Sequence, residues 1–475
     1  MIKIHKCLFL LICLLTLSGC SIWPAFERPK SDLPAAWSNT AQGLPALQLG
    51  ERWWMLYGDS ALDAWVAEAF EHNRDLALAA ARVDEARALS RVAESQRYPS
   101  IDANAQRDRT RSSEVAPIPI PASALERDGY RATLNLSYEL DFWGRLRGAS
   151  NAARAELLAT EAARDTVRLA LGADVVRSYF TLRALDEQIA VTQRTLALRE
   201  DNLKLQRVRA TAGLTSDYQL RQLEAEVAAA RVQVPALERS RTSEELALVV
   251  LLGRSPRAII DTNLPRAVYH NSENNQPLPP LTPEGLPSDL LLRRPDIVQA
   301  EQRMIAANGR IAVARAAMFP RIALTGYLGS ESRTLGDLLS GPSLIWQLAF
   351  GLTQPIFQAG RLSAEVDAVK AREQQALAQY QKAVQEAFRE VQQALSAQTR
   401  AREIFDAETT RAAALRDTLR LARIRYDNGL SSQLEVIDAE RNLLAADLNR
   451  ADALRAQRVA VADLVRALGG GWSGK

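Results

Sequence analysis

The feature that most constrains the fold is a stretch from Arg361 to Asn428 that contains neither glycine nor proline. Apolar residues recur along it in steps of three and four, as at Val384, Phe388 and Val391, which is the period of an amphipathic helix. At 1.5 Å per residue, a helix over this stretch is roughly 100 Å long. Because a compact domain cannot contain an element of that length, the sequence predicts an elongated helical protein.

The chain contains the same pattern twice. Thr211–Ser216 matches Asp427–Ser432, a displacement of 216 residues, and the same displacement carries Arg145 onto Arg361. Upstream of the long stretches the displacement is slightly different. Self-similarity of this kind is the mark of a repeated structural unit. Each half is therefore predicted to consist of a helix, two strands, a very long helix, a turn and a shorter helix.

Two shorter helices placed end to end slightly exceed the length of one long helix. The economical packing therefore sets one long helix beside two stacked short ones, antiparallel across tight turns at Gly213 and Gly429. Pro235 is expected to interrupt one of the shorter helices. The predicted helices are 59–97, 149–212, 215–252, 361–428 and 430–468.

A strand with complete alternation follows the first helix. Between Tyr130 and Phe142 every second residue is apolar, and the residues between them include Arg131, Glu139 and Asp141. This period of two, with charges on one face, is typical of a transmembrane strand that faces lipid on one side and a polar lumen on the other. The other predicted strands are 101–112, 322–330 and 344–353, the last with Ile345 breaking the pattern.

Four strands in one chain cannot close a membrane barrel, because single-chain barrels begin at about eight strands. An open sheet edge in lipid would leave backbone N–H and C=O groups without hydrogen bonds. Association of several copies is therefore required. The spacing of the strands does not fix the number of copies.

The N-terminus predicts export and lipidation. Lys3 and Lys6 precede an apolar run from Cys7 to Leu17 that is too short to span a bilayer, which needs about 20 residues. The run ends in Leu17-Ser18-Gly19-Cys20, which resembles the cleavage box of bacterial lipoproteins. Acylation of Cys20 would hold the mature chain in the membrane, at ~0.8 kcal/mol for each buried methylene.

Composition argues against an enzyme, a metal site and a nucleic-acid surface. The three cysteines are Cys7, Cys13 and Cys20, so only Cys20 would survive maturation. Apart from the histidine within the signal, His72 and His270 stand alone, which does not support a catalytic triad or a histidine metal site. The net charge of +3 is small, and acids and bases alternate along the helices. No cofactor is predicted.

Taken together, these features resemble the TolC-like outer-membrane efflux proteins, and more closely their OprM/NodT lipoprotein branch. The resemblance covers essentially the whole mature chain. It is carried by Trp53-Trp54, Tyr57-Gly58-Asp59, Asn73, Asp75-Leu76, Arg293-Arg294-Pro295-Asp296-Ile297, the turns at Gly213 and Gly429, and Leu468-Gly469-Gly470-Gly471-Trp472.

The resemblance implies a fold of mixed α and transmembrane β structure. Three copies would form a twelve-stranded β-barrel, continued by a twelve-helix periplasmic α-barrel with a mixed equatorial belt. The protein would lie in the outer membrane, anchored by lipid and extending into the periplasm. The turns Gly213-Leu214 and Gly429-Leu430 would contact a periplasmic adaptor protein that is joined to an inner-membrane pump.

The resemblance also implies a periplasmic aperture at Leu434 and Asp438, with a second acid at Glu435. The spacing is compatible, since Leu434 and Asp438 are four residues apart on one helix face. Tyr426 matches a tyrosine that helps to tie the closed tip in TolC. An arginine found in TolC two residues after the equivalent of Gly429 is replaced here by Ser431, so other ties are expected. The candidates are Arg425, Asp217 and Tyr218.

The predicted function is the outer-membrane channel of a tripartite efflux system for small molecules. A type I protein-secretion duct, with the same architecture and another cargo, is the alternative, and a periplasmic structural coiled coil is a second. The predicted segments are a signal peptide (1–19), a lipid-anchored segment (20–57), the first repeat (58–254), a linker (255–291), the second repeat (292–470) and a C-terminal tail (471–475).

Overall fold

The computed structural model describes residues 26–29, 32–34, 50–115, 117, 121–260 and 294–470. Cys20 and the signal, His270 with most of the linker, Arg293, and Gly471 with Trp472 lie outside the described residues. The helices are α1 Ser60–His72, α2 Arg74–Ser95, α3 Arg145–Thr211, α4 Asp217–Leu251, α5 Pro256–Ile260, α6 Pro295–Ala316, α7 Arg361–Asp427 and α8 Gln433–Ala467. The strands are β1 Ser100–Arg111, β2 Glu126–Leu140, β3 Arg321–Ser332 and β4 Leu344–Thr353.

The repeat inferred from the sequence is present in the structure. Helices α3 and α7 have 67 residues each, and α4 and α8 have 35 each, all displaced by 216 residues. Upstream, α2 and α6 have 22 residues each, and β1 and β3 have 12 each, displaced by 221. The first β-hairpin with its flanking loops is therefore five residues longer than the second, the difference between displacements of 221 and 216.

The chain divides into two compact units, and each unit takes segments from both repeats. One unit comprises 1–30, 82–161 and 299–381 and contains the sheet; the other comprises 31–81, 162–298 and 382–475. The sheet is antiparallel throughout, in the order β1-β2-β3-β4, so β1 and β4 lie at its edges. Among the described helices, none is both long enough and apolar enough to cross a membrane.

Two expectations about the helices were wrong. The predicted helix 59–97 is two helices, because Asn73 leaves the helical region at ψ 133°. The Asn73 side chain donates to the Leu251 carbonyl (2.9 Å) and accepts from the Leu76 N–H (3.0 Å). Conversely, α4 continues through Pro235, so this proline does not end it. Just after the end of α4, position 253 requires glycine, because any Cβ there would lie 2.0 Å from the His72 carbonyl oxygen.

The family markers around Trp53 form an aromatic and polar core within the second unit. Asp59 is 4% exposed and caps α1 by accepting from the N–H groups of Ala61 and Leu62. Its other carboxylate oxygen accepts from the Tyr179 hydroxyl and, at 3.2 Å, from Arg183 Nη1. Burial, together with the hydrogen bond to Asp59, raises the pKa of Tyr179 well above its ordinary value. The marker residues thus tie α1 to the long helix α3.

Candidate functional site

One face of the sheet is an exposed apolar band. Leu134 of β2 pairs with Leu328 of β3, which pairs with Trp346 of β4, and all three lie on this face. Trp346 and Phe350 are 70% and 71% exposed. An exposed apolar surface of this extent requires a partner such as lipid. The band continues through Leu136, Tyr138, Leu140, Ile322, Leu324, Leu344, Leu348, Leu352 and Ile101.

Charges limit the band at the end that carries the hairpin loops. Above Ala132 on the same face, Arg109 Nη2 lies 2.7 Å from Glu126, and Arg107 Nη lies 3.9 Å from Asp128. The apolar part of β2 therefore covers residues 132–140, which matches the ~9–11 residues that a tilted strand needs to cross a bilayer. The transmembrane reading of these strands rests on this match.

The opposite face of the sheet is polar. Asn135, Tyr327 and Gln347 pair across three strands, and Arg131 lies 3.6 Å from Glu331. Ile345, which broke the alternation in the sequence, lies on this face opposite Gly329. Two faces of opposite character are what a channel wall between lipid and a wet lumen requires.

The turns that follow α3 and α7, here called the tip turns, have the same geometry. Gly213 and Gly429 have φ values of +74° and +72°, in the left-handed region that favours glycine. The N–H of Leu214 donates to the Arg209 carbonyl at 2.9 Å, and that of Leu430 donates to the Arg425 carbonyl at 2.8 Å. These bonds close a Schellman motif at the end of α3 and α7. Leu214 and Leu430, the predicted contact residues, are 73% and 70% exposed.

The predicted aperture residues lie in the first two turns of α8, and their side chains are largely exposed. Leu434 is 47% exposed, and the side chains of Glu435 and Asp438 are 54% and 56% exposed. Between them, Val436 packs with Ala422 and Ala439, and Ile437 packs with α3 and α4. The two acids therefore lie on the exposed side of the start of α8, whose opposite side packs against α3, α4 and α7.

The predicted tie residues make different contacts. The Tyr426 hydroxyl accepts from Gln206 Nε2 at 3.3 Å, which joins α7 to α3. Arg425 donates to the Leu430 carbonyl at 3.3 Å and lies 4.0 Å from Glu435. Tyr218, 71% exposed, accepts from Gln222 Nε2 at 3.0 Å. Asp217 is exposed at the start of α4.

Sequence reasoning missed the buried polar residues near the tip. Gln206 is 2% exposed, and it binds Tyr426 and, at 3.1 Å, the Thr215 hydroxyl. Arg199 and Glu226 are 4% and 6% exposed and lie 3.2 Å apart. The repeat carries a signal that identifies Arg199, because its equivalent 216 residues later is the apolar Leu415.

Helices α3 and α4 form the first helical hairpin, and α7 and α8 form the second. Ion pairs join the two helices of each hairpin at equivalent positions. Arg207 lies 2.9 Å from Glu224 in the first hairpin, and Arg423 lies 2.9 Å from Glu440 in the second. A second rung is Arg231–Glu200 (2.5 Å) in the first hairpin and Arg416–Asp447 (3.1 Å) in the second, with the charges exchanged between the helices.

Comparison with known proteins agrees with this architecture. The profile of the outer membrane efflux protein family matches residues 65–254 and 286–470. The chain is 35% identical to the toluene efflux pump outer membrane protein TtgI of Pseudomonas putida, over 97% of each chain. It is 34% identical to the cation efflux system protein CusC of Escherichia coli, over 96% of this chain and 97% of that one.

A solved structure shares the fold. The Campylobacter jejuni CmeC outer membrane channel superposes with a TM-score of 0.88 at 26% identity, over 95% of each chain. The predicted fold class, the outer-membrane location and the function as an efflux channel rather than an enzyme are confirmed. This chain therefore belongs to the outer membrane efflux protein family.

Proposed function

We propose that three copies of this chain form one efflux duct, in which twelve strands close a barrel and twelve helices close a tube. The observation that carries the proposal is the four-stranded sheet, whose apolar face is exposed and whose edge strands are β1 and β4. In lipid, these edges must pair with strands of another copy, because backbone groups there have no water to bind. Three copies follow from the family resemblance.

The mature chain is proposed to carry a lipid anchor on Cys20. The support is the Leu17-Ser18-Gly19-Cys20 box at the end of a short apolar run. Cells fed a radiolabelled fatty acid should label this protein, and a Cys20→Ser variant should lose the label. Equal labelling of the two proteins would contradict acylation at Cys20.

At the tip, Leu434, Glu435 and Asp438 are proposed to form the aperture, in rings contributed by the three copies. Like charges held close attract cations. Tyr426, Arg425, Asp217 and Tyr218 are proposed to tie the tip in its narrow state. Support comes from Arg425, which is already close to Glu435.

A periplasmic adaptor protein is proposed to contact the turns Gly213-Leu214 and Gly429-Leu430. The adaptor in turn is joined to an inner-membrane pump. Two exposed leucines on rigid glycine turns offer apolar anchors for such a partner. Replacing both Leu214 and Leu430 with Asp should abolish crosslinking to the adaptor while the trimer persists. Undiminished crosslinking would remove these turns from the contact.

The cargo is proposed to be small molecules, since relatives are named for the efflux of toluene and of cations. The test is a deletion strain, complemented with this chain and challenged with a panel of solvents, metal ions and drugs. Restored resistance to members of the panel is the expected result. Restored secretion of a protein, without any change in resistance, would favour the type I secretion duct instead.

A further inference from the structure

Charged residues from α3, α4, α7 and α8 form one partly buried network within the unit that comprises 31–81, 162–298 and 382–475, here called the inter-hairpin network. The side chains of Arg199, Glu226 and Glu440 in it are only 5%, 8% and 13% exposed. Charges at such depth are retained when each is paired, because an unpaired buried charge is strongly destabilising. The members of the network are Arg199 of α3, Glu226 of α4, Arg423 of α7, and Glu440 and Arg441 of α8.

Contacts in the network cross from one hairpin to the other. Arg199 Nη1 lies 3.2 Å from the Glu226 carboxylate and also donates to the Glu226 carbonyl at 3.2 Å. Arg199 Nε lies 3.8 Å from Glu440, which accepts from Arg423 at 2.9 Å. From the second hairpin, Arg441 donates through Nε to Glu226 at 2.9 Å and through Nη2 to the same oxygen. Glu226 is thus held by arginines of both hairpins.

The network ends at the proposed aperture. Arg441 follows Asp438 by three residues on α8, and Arg441 Nη1 lies 3.7 Å from the Asp438 carboxylate. The same guanidinium therefore faces an aperture acid on its own helix and a buried acid on α4. Any movement that carries Asp438 outward with α8 must withdraw Arg441 from Glu226.

These cross-hairpin contacts have no counterpart in the repeat. The Arg423–Glu440 pair has an equivalent in Arg207–Glu224, which shows that such rungs serve each hairpin internally. Four residues make the contacts between the hairpins, and three of them have no charged equivalent, the exception being Glu440. At a displacement of 216, Arg199, Glu226 and Arg441 correspond to Leu415, Asn442 and Ala225.

We propose that Glu226, Arg441 and Arg199 are positioning residues that latch the acidic start of α8 to the first hairpin. The latch sets how far the aperture can widen, and it opens when Arg441 leaves Glu226. This inference rests on the proposed aperture at Leu434, Glu435 and Asp438.

The test is single-channel recording of the full-length trimer in planar bilayers. Glu226→Gln removes the shared carboxylate without touching the aperture, so the open-state conductance or open fraction should rise by about threefold, as expected for one member of a coupled network. Block by a trivalent cation should weaken as the acid rings move apart. Arg441→Gln should act in the same direction, and the double variant should add little beyond the larger single effect.

Arg207→Gln is the matched control, because it breaks a rung inside the first hairpin and leaves the inter-hairpin contacts in place. It should behave like the wild type. Normal trimer content and circular dichroism of each variant verify folding. If Glu226→Gln fails to fold, Arg441→Gln carries the test, since its side chain is 56% exposed.

Asp438→Asn separates this inference from the proposed aperture. If Asp438→Asn changes cation block while Glu226→Gln and Arg441→Gln record like the wild type, the latch is refuted and the aperture stands. If Asp438→Asn leaves conductance and block unchanged, the aperture is refuted and the latch loses its purpose. Additive effects of Glu226→Gln and Arg441→Gln would also refute the latch.

Discussion

The first hairpin, α3 with α4, and the second hairpin, α7 with α8, have the same lengths and the same glycine turn, yet their tips differ in charge. At a displacement of 216, Leu434, Glu435 and Asp438 of the second hairpin correspond to Tyr218, Gln219 and Gln222 of the first. The predicted aperture acids are therefore contributed by one hairpin only. The two copies of the repeat share one scaffold, and the acids of the proposed gate occur on one copy only.

The tips also differ in how their second helix begins. Ser216 and Gln219 form a reciprocal capping box at the start of α4, and Thr215 donates to buried Gln206. Within the described residues, Ser432 makes no side-chain capping bond to α8, and the Ser431 hydroxyl has no partner. The hairpin with the acids is thus the less firmly capped of the two, which suits an element that moves.

Removing the acids of the second hairpin should give the largest effect. In a Glu435→Ala, Asp438→Ala double variant, single-channel conductance should rise and block by multivalent cations should weaken, because the charges that bind them are gone. Bilayer recording at fixed salt measures both quantities. Unchanged conductance and block would remove these residues from the gate.

Adding equivalent acids to the first hairpin should give the next largest effect. Gln219→Glu together with Gln222→Asp would add two acids to the two of the proposed aperture, so the concentration of multivalent cation needed for half block should fall by about tenfold, corresponding to ~1.4 kcal/mol of binding. Titration of the block in the same bilayers measures the change. A midpoint equal to that of the wild type would show that the first hairpin does not face the passage.

The difference in capping predicts unequal responses to one substitution. Ser216→Ala should destabilise the first turn of α4 by ~1 kcal/mol, because it removes the capping bond to the Gln219 N–H. Ser432→Ala should change the first turn of α8 little. Hydrogen exchange of the backbone amides of the two turns, measured by mass spectrometry, compares them directly. Equal acceleration in both variants would contradict the difference in capping.

The ion pairs Arg231–Glu200 and Arg416–Asp447, whose charges are exchanged between the helices, predict the smallest effect. Asp447→Arg places two arginines together in the second hairpin and should cost ~0.5–1 kcal/mol, since the pair is partly exposed. Adding Arg416→Glu recreates the charge order of Glu200 and Arg231 and should restore stability. Thermal unfolding in detergent, followed by circular dichroism, measures the difference. A double variant less stable than the single one would show that the rungs are not interchangeable.

Periodicity and breaker residues predicted most of the fold. The absence of glycine and proline predicted α7, and the repeat predicted α3 although it contains Gly148 and Gly172. The two helices end at Thr211 and Asp427, within one residue of prediction. Alternation predicted β2 and β4, and β1 and β3 were predicted as their partners, as the pairing of β1 with β2 and of β3 with β4 confirms. The break at Asn73 was missed because asparagine is tolerated in helices. It is a tertiary contact, the Asn73 bond to the Leu251 carbonyl, that breaks the helix there.

The candidate site was less accessible to the sequence. Spacing placed Leu434 and Asp438 on one helix face, and the structure agrees that both are exposed; their role in a gate stays a prediction. The pairing of Arg199 with Glu226 could not be predicted, because it depends on the distance between two helices rather than on spacing along either one. Charges at core positions are rare without partners, and only the packed structure identifies those partners.

A continuous channel wall requires closure of the barrel by several copies, and cysteine crosslinking across the sheet edges tests this closure directly. One cysteine replaces Asn104 in β1 and another replaces Ala349 in β4 of the same chain, because both positions lie on the polar face of the sheet. The mature form would otherwise contain only Cys20. Oxidation in intact membranes should give products of two and three chains, with none larger, while each single-cysteine variant gives none across these edges. A product confined to one chain, with its β1 and β4 joined to each other, would contradict the account.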